Sequence, residues 1–145
     1  MLPPASGNNY DGTVHRVTIA SRPLSHREQQ VLRYLLAFDP APEDAAAHHS
    51  FLGQIEFARV TGRCDCGCAT VDLSVDRAQA TGALQRTEEY AYAEAQHLTE
   101  PRDLLLFVKD GWLSSIEVVD HDEVHSPELP HPSAFGAAHS AWRTS

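Results

Sequence analysis

ARVTGRCDCGCATVDLSV, residues 58–75, is the stretch whose reading decides the fold. Val71, Leu73 and Val75 alternate with Thr70, Asp72 and Ser74, the period-2 pattern of a half-buried strand. On the other side of the cysteines, Ala58 to Arg63 reads as a second strand with Val60 facing in. Inward positions are even before the cysteines and odd after them. A single strand alternates strictly and cannot change parity. RCDCGC therefore contains a turn or a bulge, and Gly67 is the residue suited to a positive φ. The expected geometry is a hairpin whose loop is Asp65-Cys66-Gly67. Cys64 and Cys68 would then face each other at the strand ends.

Working downstream, Asp76 to Thr87 is a polar connection. Glu88 to Leu98 (EEYAYAEAQHL) carries both signals: Ala and Glu favour a helix, while tyrosines alternating with alanines favour a strand. A strand is preferred, because it could pair with the hairpin that follows. In that hairpin Leu104 to Val108 is an apolar run suited to a central strand, and Asp110-Gly111 is a two-residue turn signal. The return strand holds Leu113, Ile116, Val118 and Val119, with Ser114 and Ser115 marking a bulge. The chain then becomes acidic and Pro-rich, with Leu129 and Phe135 as anchors.

Upstream, Ser25 and Glu28 form the S-x-x-E capping box of a helix over Ser25 to Phe38. Val31, Leu32, Leu35 and Leu36 are its apolar stripe. Pro42, Glu43 and Asp44 suit the start of a second helix running to about Phe57, with Ala47, Phe51, Leu52 and Ile55 facing in. Thr13 to Ile19 (TVHRVTI) has strand-like residues with weak alternation: an edge strand, or part of a tail. Helices followed by strands indicate an α+β fold, with two N-terminal helices packed on an antiparallel sheet of four or five strands. The domain is expected over residues 22–135, with a mobile N-terminal extension over 1–21 and a C-terminal tail over 136–145.

Four blocks in this order, RPLSHREQQVLRYLL, GRCDCGCATVDLSV, LLLFVKDGWLSSIEVVDHDE and ELPHPSAF, resemble a family of small uncharacterised bacterial proteins, mostly actinobacterial. Its members show a C-x-C-G-C turn, a D-G hairpin and a closing E-L-P-x-P segment. The resemblance implies a bacterial protein and no particular activity. The layout is also similar, at the level of fold, to small immunity-type proteins of toxin systems.

A net charge of −9 argues against nucleic acid and against an anionic membrane surface, and suits a partner with a basic surface. There is no run of eighteen apolar residues and no basic-then-apolar leader, so a cytoplasmic protein with reduced thiols is expected. The G-x-S-x-G, P-loop, dinucleotide and HExxH signatures are absent, and the reading leans away from an enzyme. A nucleophile can be drawn from Cys66 with His48 or His49 and Asp72, but no local signature supports it.

Cys64, Cys66 and Cys68 carry three readings: a metal site, a redox pair, or small apolar residues at a tight turn. A metal needs a fourth ligand, for which His97, His121 and His125 stand near strand ends. The functional expectation is a non-enzymatic, protein-binding regulatory or immunity-like protein, with Trp112 as an exposed anchor. The alternative is a small zinc-binding protein built on Cys64, Cys66 and Cys68.

Overall fold

The computed structural model describes residues 16–84, 86–121 and 127–142. Strand β1 is Arg16–Pro23, helix α1 His26–Leu35, helix α2 Ala45–Gln54, and β2 Ala58–Cys64. Then follow β3 (Val71–Val75), β4 (Tyr90–Gln96), β5 (Arg102–Lys109), β6 (Trp112–Asp120) and β7 (His139–Ser140). They form one seven-stranded sheet in the order β1-β2-β3-β6-β5-β4-β7, with every neighbouring pair antiparallel.

This corrects the expected architecture. The sheet has seven strands rather than four or five, and the helices are not the N-terminal elements, because β1 precedes them. Both additional strands lie at the sheet's edges. β1 has no fully buried position, so its sequence carries no apolar stripe to announce it. β7 is two residues long, too short for any periodicity. Residues 16–21, expected in an N-terminal extension, therefore belong to the sheet, and so do residues 139 and 140, expected in a tail. Residues 1–15 of that extension lie outside the described residues.

The β5–β6 hairpin is the centre of the sheet. Leu104, Leu106, Val108 and Ile116 are fully buried, and Asp110 (φ 54°) and Gly111 (φ 86°) make the left-handed turn that the D-G pair demands. Leu113 pairs Val108 and Ser115 pairs Phe107, so Ser114 is the bulged residue. Residues 90–96 are a strand, with Tyr92 buried and Ala93 opposite Leu106.

Helix α1 starts at the capping box. Ser25 Oγ accepts from the Glu28 amide at 3.1 Å, and Glu28 Oε1 accepts from the Ser25 amide at 2.7 Å. Its stripe of Val31, Leu32 and Leu35 is buried, and the Leu36 C-cap with it. Helix α2 differs from its expected stripe: Leu52 is 37% exposed, while His48 and Gln54 are buried. Both polar side chains are satisfied. His48 Nε2 donates to the Leu36 carbonyl at 2.8 Å, which leaves Nδ1 to accept from the Tyr92 hydroxyl at 2.8 Å. Gln54 donates to the carbonyls of Thr81 and Gly111 and accepts from the Leu113 amide, tying α2 to the β5–β6 turn. Leu129 and Phe135 are buried anchors, as expected. Among the described residues, no helix is long and apolar enough to cross a membrane.

Candidate metal centre

The β2–β3 connection carries the three cysteines. The turn is wider than the expected three-residue loop: the Cys64 amide donates to the Thr70 carbonyl at 3.3 Å, and β3 begins only at Val71. Cys64 thus faces Thr70 across the hairpin, not Cys68. Gly67 does take the left-handed conformation, with φ 89°. That bend curls residues 65–69 back on themselves and gathers the sulfurs.

The sulfur atoms of Cys64, Cys66 and Cys68 all lie within 4.8 Å of one another. Cys64 Sγ donates to Cys66 Sγ at 2.7 Å. The Cys66 amide points at Cys64 Sγ at 3.5 Å, and the Cys68 amide at Cys66 Sγ at 3.3 Å. Amide donors aimed at sulfur favour the thiolate, the form that binds a metal. Cys64 and Cys68 are half-buried and Cys66 is exposed, so a cation has access.

The thiols differ in proton affinity. Cys66 is exposed as a residue, yet partial desolvation of its thiol, reinforced by hydrogen bonds with Cys64 and Cys68, pushes it up to about 12. Burial also acts to raise Cys68, but hydrogen bonds from Cys66 and Thr70 outweigh it and hold this thiol below its ordinary value. Of the two thiols, Cys68 gives up its proton the more readily, with Cys66 as its neighbouring hydrogen-bond partner. A cation entering the cluster must displace the Cys66 proton.

The donor set fits a soft or borderline cation. Metal–sulfur bonds of about 2.3 Å in a tetrahedron place sulfurs roughly 3.8 Å apart, a modest opening of the Cys64–Cys66 contact. The histidines considered as a fourth ligand are engaged elsewhere. His97 Nδ1 accepts from the amides of Thr99 and Glu100 at 3.1 and 3.0 Å. His121 Nε2 bonds Asp103 Oδ2 at 3.0 Å. Neither joins the cysteine group, and His125 lies outside the described residues. The nucleophile drawn from Cys66 and His48 is not assembled either, since both His48 ring nitrogens are occupied inside the core.

One feature of this corner has no signal in the sequence. An open groove of about 600 Å3 borders the cysteines, with Cys68, Thr70, Glu28 and arginines 22, 27 and 63 in its walls. Its lining comes from three separate segments, around residues 19–28, 63–71 and 127–129. Only the tertiary fold unites them.

No protein-family model matches the chain, and no curated protein or solved structure matches it either.

Proposed function

We propose that this is a small metal-binding protein whose Cys64, Cys66 and Cys68 form a thiolate site for zinc. The observation that carries the reading is the convergence of three sulfurs within 4.8 Å on a glycine-bent turn. Packing alone does not require it: Cys66 is exposed. The protein-binding reading loses one of its supports, the exposed aromatic anchor. Trp112 is half-buried, with Gly82 against its ring and the Arg77 guanidinium 4.8 Å above it. It is a packed residue of the fold and not a free anchor.

Elemental mass spectrometry on tag-free, reduced protein purified without chelator tests the proposal. The expected result is near one equivalent of zinc, lost in Cys66→Ser. Metal-free protein with three titratable thiols would overturn it.

A further inference from the structure

Three thiolates leave one position of a tetrahedral cation to be filled, the arrangement of metal sites that hold an exchangeable ligand. Among the described residues no fourth side chain joins the cluster. What does adjoin it is the groove, and Cys68 belongs to both.

The groove is unusual for this protein. The chain has net charge −9 and only eleven Lys and Arg, yet three arginines line this one groove. Their charges are not equally spent. Arg22 is neutralised by Glu28, with an N–O distance of 2.8 Å. Arg27 is held by neutral acceptors, the Gln30 side chain at 3.1 Å and the Leu129 carbonyl at 2.9 Å. Arg63 is exposed, and its side chain has no hydrogen bond or ion pair among the described residues. Among the described residues, two guanidinium charges thus line the groove without a carboxylate of their own. The second acid in the wall, Glu128, has a partner already. A guanidinium fork matches a carboxylate in shape and charge. Beside the arginines, Ile19, Val71 and Leu129 offer apolar wall.

Building on the metal reading above, we propose that the groove takes a small carboxylate ligand with an apolar body. Arg63 and Arg27 steer it, and it supplies the fourth donor to the cation held by Cys64, Cys66 and Cys68. The site is then a ligand-responsive metal centre and not a closed structural knot.

The test replaces zinc by Co2+ in the reduced full-length chain and adds benzoate as the probe. Thiolate-to-cobalt and d–d absorption reports the metal, and the d–d bands report a change of fourth ligand. Benzoate is expected to shift the d–d bands saturably, and benzyl alcohol, its uncharged counterpart, to leave them alone. Arg63→Ser should raise the half-saturating benzoate concentration roughly tenfold, the loss of one charge-assisted bond. Among the described residues the Arg63 side chain has no partner to lose, so this variant should fold; Lys109→Ser, an exposed cation elsewhere, should behave as the parent. Cobalt bands indifferent to benzoate, or equally responsive in Arg63→Ser, would overturn the groove's role and leave the metal reading standing. Absence of cobalt bands in the parent would remove the metal reading, and this inference with it.

Discussion

Two glycines share a backbone conformation and differ in surroundings. Gly67 and Gly111 have φ of 89° and 86°. A Cβ on Gly67 would meet nothing within 4 Å, whereas one on Gly111 would lie 2.1 Å from the Ala83 carbonyl oxygen. That carbonyl belongs to a backbone held in place: the Ala83 amide donates to the Gly111 carbonyl at 2.9 Å, and Gln54 donates to the same oxygen. Gly67→Ala should therefore cost only left-handed strain, about 1–2 kcal/mol. Gly111→Ala adds an unrelievable backbone clash, for a total of about 2–4 kcal/mol. Paired thermal melts check this, and equal losses at the two positions would show that conformation alone, without contact, sets the cost. The glycines could be placed at turns from sequence. Ala83 as the neighbour of Gly111 could not, because residues 76–87 look like polar connection and reveal their packing only in three dimensions.

Helix α1 shows how one carboxylate serves an element. Glu28 closes the capping box and also accepts from both terminal nitrogens of Arg22, at 2.9 and 2.8 Å, joining the helix start to β1. Burial works to raise its pKa, but the bonds from Arg22 and Ser25 prevail and hold it below the ordinary value. The folded-state pKa is thus lower than the unfolded one, so the ionised carboxylate stabilises the fold above the unfolded value. That contribution fades as pH falls through the folded value. Stability should accordingly decline below about pH 4.3, where an unfolded glutamate begins to bind its proton. Glu28→Gln should lose about 1–2 kcal/mol at neutral pH, a modest figure because Arg22 stays 42% exposed. It should also flatten the acid limb of stability against pH in urea titrations; an unchanged acid limb would show that other carboxylates dominate it. Elements with a local chemical signature, such as this cap or the Asp110-Gly111 turn, were legible in sequence. β1 was legible only as one of two alternatives, an edge strand or part of a tail over Thr13 to Ile19, because an edge strand carries no buried stripe, and β2 was readable up to the cysteines but not through them. The proximity of three thiols could be suspected from C-x-C-x-C spacing. The five-residue width of their turn could not, since it depends on Thr70 pairing with Cys64 and with the Val118 amide.

At the scale of the molecule, the position of the cysteines determines how metal and fold are coupled. In small domains without a core, metal binding is the folding free energy, and chelation unfolds them. Here the core is complete without the cysteines: the largest fully buried side chains come from the two helices with the residues that close them, Leu36 and Ile55, and from the strands, and Cys64, Cys66 and Cys68 are not among them. The cluster sits at the last residue of β2 and on the turn before β3, apart from the core of Leu32, Phe51, Leu106 and Ile116. A cation bound there ties down one turn and stabilises by mass action alone, about 2.7 kcal/mol at a free concentration a hundredfold above Kd. Chelation should therefore lower Tm while leaving the far-ultraviolet circular dichroism of the sheet in place at 25 °C. Amide exchange should quicken over residues 64–70 and stay slow in β5 and β6. Loss of the whole sheet signal on chelation would contradict this and make the cysteine turn a condition of folding. Preserved structure with a faster-exchanging turn would fit a site that exchanges its ligand while the sheet behind it stays fixed.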